Sequence, residues 1–156
     1  MSEERESLKL SQAAQMLLDE CRMVLPGVQA IFGFQLIAVF NQRFSEDLSQ
    51  GQQLIHLGAI ALVALAAAII MTPAAYHRRR EERCVTAEFV HLSTRLLLSG
   101  MVTLMLGLCL DFFLIACLIV PDEARLPWVA TLALAAAMAF LWFLFPYLKA
   151  APRTMS

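Results

Sequence analysis

The sequence predicts an all-α membrane protein: a four-helix transmembrane bundle of two antiparallel hairpins, both termini cytoplasmic, preceded by an amphipathic interfacial helix. Three observations carry this. The 156-residue chain is 60% hydrophobic and only 16% charged, with a mean hydropathy of +0.67, whereas soluble chains are roughly 45–50% apolar and about 25% charged. Its apolar residues fall in four runs, each near the roughly 17–25 residues a helix needs to cross a bilayer. Its basic residues divide unevenly between the two sides that four spans create.

The elements follow in order. Residues 1–23 are expected to form the interfacial helix; the alternative is a cytoplasmic extension of span one. Leu10, Ala13, Ala14, Leu17, Leu18, Cys21, Val24 and Leu25 share one stripe at 100° per residue. Lys9, Gln12, Gln15, Asp19 and Arg22 take the other side, the pattern of a helix lying in a headgroup layer. Pro26-Gly27 is expected to turn the chain, because proline removes a helical hydrogen bond and glycine loosens the backbone. The acidic start MSEERES does not resemble the basic opening of a secretory signal, so the first span is expected to stay in the mature protein.

The membrane domain is expected over residues 24–148, with spans near 24–40, 54–76, 96–120 and 126–148, and a cytoplasmic tail over 149–156. Span one carries Gln29 and Gln35; an amide facing lipid leaves its donors unpaired, so both are expected to face other helices. Span two is alanine-rich, which suits close helix packing, with His56 near its outer end and Pro73 in its last turns. Span three is expected to start as a cytoplasmic helix near Glu82. The link Pro121–Pro127 is short, so spans three and four are antiparallel neighbours. Trp128 near one end of span four and Trp142 and Tyr147 toward the other fit an aromatic belt. The small-residue runs before Pro73-Tyr76 and Pro146-Tyr147 allow a duplicated hairpin, and shared demands at an inner interface explain them equally well.

Orientation follows from Lys and Arg. Arg5, Lys9 and Arg22, then Arg78, Arg79, Arg80, Arg83 and Arg95, then Lys149 and Arg153 fall on one side; only Arg43 and Arg125 fall on the other. The positive-inside tendency places the first group, with Arg78, Arg79, Arg80 and Arg83 as a basic loop, in the cytoplasm.

Asp111 is the strongest candidate for chemistry. It interrupts span three ~4–5 Å outward of its middle, where a charge costs at least ~2.5–3.5 kcal/mol to insert. Gly100, Thr103, Gly107 and Asp111 share one small, polar helix face, with the glycines suited to helix packing. Gln35 lies at matching depth, and a Gln35–Asp111 contact is expected. One reading has Asp111 protonated and serving as an interhelical donor, since low dielectric favours the neutral carboxyl; the other makes it an ion or proton site. A second group, Glu81, Cys84, Glu88, His91 and Arg95 with His77 nearby, has a weak metal-ligand pattern and reads better as a solvated charged face, so no metal or cofactor is expected.

Several classes are excluded. A net charge of −1 argues against nucleic acid. There is no Gly-rich phosphate loop or nucleophile elbow, and the soluble parts are too short for a catalytic domain. No cysteine falls in an external loop, so structural disulfides are not expected.

The stretches Leu25–Leu36 (LPGVQAIFGFQL), Asn41-Gln42-Arg43-Phe44 and Pro73–Arg78 (PAAYHR) resemble an uncharacterised family of small bacterial four-span membrane proteins, a domain of unknown function. The resemblance covers about Leu17 to Leu148. It implies a bacterial inner membrane and no activity. The sequence therefore favours a non-enzymatic structural or accessory subunit that self-associates or binds another membrane protein within the lipid bilayer. The alternative is a small channel or transporter with Asp111 as its ionisable site.

Overall fold

The computed structural model describes residues 2–80 and 87–149. Its elements are α1 (Ser2–Val39), α2 (Gln42–Asp47), α3 (Gln50–Arg80), α4 (Ala87–Ile119), α5 (Leu126–Ala139), a π-helical turn (Phe140–Leu144) and α6 (Phe145–Lys149). Among the described residues four stretches are long and apolar enough to cross a membrane: Leu10–Val39, Gln50–Arg78, Ala87–Ile119 and Leu126–Lys149. Large apolar side chains cover the outside. Phe34, Phe40 and Leu132 are 72%, 85% and 66% exposed, a surface that water would penalise and that hydrocarbon accepts.

The tightest seam joins α3 to α4. On α3, Ala59, Val63, Ala66, Ile70 and Pro73 are buried at spacings of three and four, the register that keeps one stripe on one neighbour. Facing them, α4 buries Ser93, Gly100, Leu104, Gly107 and Leu114. The two glycines set the approach. A Cβ on Gly107 would stand 3.0 Å from Val63 Cγ2 and 3.2 Å from the carbonyl oxygen of Ala59, and one on Gly100 would stand 2.7 Å from Ile70 Cγ1. Association in lipid lacks a hydrophobic drive, so this close backbone approach is where dispersion contacts accumulate. Helix α1 packs against both α3 and α4, and α5 packs chiefly on α4.

One expectation is corrected here. Pro26-Gly27 does not end a helix; α1 runs unbroken through it for 38 residues. Proline forfeits one backbone hydrogen bond, but Cys21 and Val28, on either side of it, sit in the same buried cluster with Val63, Ala66, Ile70 and Leu104. Packing on both flanks holds the helix through the defect. At 1.5 Å per residue α1 is ~57 Å long, far more than a ~30 Å hydrocarbon layer. The amphipathic segment is thus continuous with span one. It buries Ala14 and Cys21 while Gln12, Gln15, Asp19 and Arg22 stay exposed. Helix α3 likewise outruns its expected span, and α4 starts well before residue 96, as the expected cytoplasmic start of span three requires.

Proline acts differently near the other end. Pro146 has no N–H for the carbonyl four residues back, and the helix widens just before it: Phe145 N–H donates to the carbonyl of Phe140, five residues away.

Candidate functional site

Three membrane helices meet at Asp111. Gln35 on α1 donates from Nε2 to Asp111 Oδ2. His56 on α3 places Nδ1 2.9 Å from Asp111 Oδ1 and Nε2 3.1 Å from the backbone carbonyl of Gln35. Gln35 and His56 are buried, and the Asp111 side chain is 18% exposed. Each contact is explained locally. Gln35 lies one residue before the last four of α1, and a helical carbonyl oxygen keeps a second lone pair that can accept a side-chain donor. His56 is three residues before Ala59 and Asp111 four after Gly107, so the glycine seam brings the two side chains within reach. Phe44 on α2 lays its ring against His56, with centroids 5.2 Å apart.

The partners fix most of the hydrogens. A carbonyl can only accept, so His56 Nε2 carries a proton and donates to Gln35. One further proton then lies between His56 Nδ1 and Asp111 Oδ1. Gln35 Nε2–H to Asp111 Oδ2 closes a ring of three donors and three acceptors. The Oε1 atom of Gln35 is buried without a donor.

The ring is not sealed. A groove of about 450 Å³ reaches it, walled by Ile31, Phe34 and Ala38 of α1, Phe44 of α2, Leu114, Ile115 and Leu118 of α4, and bordered by Asp47 and Leu48. Its position, beside the segment linking α1 to α3, puts the opening at one end of the bundle.

Comparison with known proteins matches residues 3–146 to the Family of unknown function (DUF6328). The chain belongs to that family. No curated protein and no solved structure matches it.

The DUF6328 chain thus brings together Asp111 and Gln35, the pair expected from matched depth, and adds His56. His56 was legible as a residue near the outer end of span two; its depth relative to Gln35 and Asp111 was the signal that would have linked it. Two expectations are corrected. Gln29 is exposed on the bundle's surface, because α1 turns Gln35 and Val28 inward and the residue beside Val28 points away. Thr103 does not join the polar site: its hydroxyl donates 2.8 Å back to the carbonyl of Ser99, which satisfies it within its own helix. Gly100 and Gly107 serve the α3–α4 seam. Arg78 is exposed at the end of α3, close to Arg79 and Arg80 in the chain; Arg83, Glu81 and Cys84 lie outside the described residues. Glu88, His91 and Arg95 are exposed along α4.

Proposed function

We propose that the Asp111–His56–Gln35 ring is an exchange site, at which an organic cation with an apolar body displaces the shared proton, and that the protein moves such cations across a membrane. The observation that carries this is the groove of about 450 Å³ ending on the ring, within the roughly 300–1,000 Å³ range of small-molecule sites. A purely structural clasp has no need of access to its carboxyl group. The apolar wall with two phenylalanines suits the body of a cation, and aromatic faces attract its charge. With the ring neutral, Asp111 Oδ1–H donates to His56, and the site carries no net charge. A bound cation needs the carboxylate, so the proton leaves as the cation enters and the charge within the membrane stays balanced.

The test is proton release. Adding tetraphenylphosphonium to the purified, weakly buffered protein should release up to one proton per cation bound, and Asp111→Asn should release none. Cation binding with no proton release, or equal release by Asp111→Asn, removes the exchange mechanism.

A structural or accessory role is the second reading. It is supported by Gln29, whose exposed amide would gain a partner in an assembly, and by α5, which buries only Pro127 within the chain. Either role is non-enzymatic, with the bilayer and a second copy or another membrane protein as partners. We take the protein to lie in a bacterial inner membrane with the Arg78 end cytoplasmic, following the basic-residue asymmetry. The ring then sits toward the external side.

A further inference from the structure

A second groove, of about 470 Å³, lies at the opposite end of the bundle between α1 and α3. We infer that it is a binding site for the headgroup and upper acyl chain of an anionic phospholipid. Its rim carries Arg22 from α1 and His77 and Arg78 from α3, and its floor is Leu25, Met71 and Ala74. Among the described residues no acidic side chain lines it. Asp19 approaches Arg22 at 3.7 Å, with side chains 67% and 84% exposed, a surface pair that yields easily to a stronger anion. On α3 the polar and apolar parts are ordered along the helix axis, and on α1 Leu18, Cys21 and Leu25 flank Arg22. Met71 is seven residues, or ~10 Å, further into the bundle than Arg78, and Leu25 is nearly one turn deeper than Arg22. A phospholipid has the same order, with phosphate above glycerol and chain. The site also stands where such a lipid stands, because Arg78 closes the membrane-crossing stretch of α3. The rim is held in place: the ring of His77 lies against buried Phe89 of α4, with centroids 5.6 Å apart. Basic pockets between transmembrane helices select anionic headgroups through this combination of charge and depth. A free anion would use the rim alone and leave the apolar floor uncovered, which is why the lipid is the occupant.

The test is native mass spectrometry of the delipidated full-length protein with equal phosphatidylglycerol and phosphatidylcholine. Wild type should retain phosphatidylglycerol preferentially. Arg22→Gln and Arg78→Gln should each lower that preference roughly fivefold, and together roughly 25-fold, the scale of about 1 kcal/mol for each basic side chain near an anionic surface. Arg95→Gln, which removes an exposed arginine of α4 outside the groove, should leave it unchanged. Ala74→Trp, which fills the floor, should displace phosphatidylglycerol while all the charges remain. Equal retention of the two lipids by wild type, or preference kept in the double variant, overturns the site. Displacement of the lipid by millimolar inorganic phosphate identifies a simple anion site and overturns the lipid assignment.

Discussion

Removing either side of the His56–Asp111 contact should reveal how the three helices are held. The variants are His56→Phe, which keeps a ring against Phe44, and Asp111→Leu, which keeps the branched shape. Each single change breaks two of the ring's hydrogen bonds and strands buried partners: His56→Phe leaves Asp111 Oδ1 and takes the side-chain donor from the Gln35 carbonyl, and Asp111→Leu leaves His56 Nδ1 and Gln35 Nε2. A stranded buried group costs about 1–3 kcal/mol. The double variant removes the shared contact only once. Membrane hydrogen bonds average about 0.6 kcal/mol in such cycles with extremes near 1.7, and breaking a buried ion pair costs about 3–5 kcal/mol. A neutral ring at 2.9 Å therefore predicts a coupling of about 1–2 kcal/mol, at the upper end of the hydrogen-bond range. Reversible unfolding in bicelles by steric trapping measures it. A coupling above about 3 kcal/mol would place the shared proton on His56 and make the contact an ion pair. A coupling below about 0.3–0.5 kcal/mol, the error of simple additivity, would refute the ring.

Other outcomes follow from the same structure. Gly107→Ala should destabilise by about 1–3 kcal/mol, since its Cβ meets Val63 and the Ala59 carbonyl at 3.0–3.2 Å; thermal stability equal to wild type in detergent would mean that α3 and α4 do not pack through this glycine. Ala14→Glu should destabilise by several kcal/mol by forcing a carboxylate into a face that is 1% exposed. Its neighbour Gln15→Glu, on the exposed side, should stay within about 0.5 kcal/mol; equal effects would mean that the first half of α1 is not docked. In a cysteine-free background, a cysteine at exposed Ser49 should react with an impermeant maleimide from outside intact cells and one at exposed Glu88 should not. The reverse pattern would invert the orientation.

The helices were legible because a span announces itself through length, apolarity and a charge-free interior, features set by the bilayer and not by neighbours. The Gln35–Asp111 contact was legible for a related reason: lone polar groups at one depth have few alternatives to each other. Gln29 was misread because an amide's demand for a partner does not fix which way its helix is turned, and Val28 wins the inward position. Thr103 was misread because a hydroxyl can satisfy itself on its own helix. Pro26 was misread because a local rule was applied without the packing on both sides of it. His56 joined the site only through the rotation of α3, which the alanine-rich face against Gly100 and Gly107 decides and no local pattern states.

The central claim is that Asp111 holds an exchangeable proton within reach of a molecule entering from the groove. A lipid-soluble carbodiimide tests it most directly, since it adds to protonated carboxyl groups in apolar surroundings. Peptide mass spectrometry of the treated protein should find the adduct on Asp111 and find none there in Asp111→Asn. Tetraphenylphosphonium added beforehand should slow the reaction. A protein whose Asp111 stays unmodified, or whose modification is indifferent to the cation, would contradict the account.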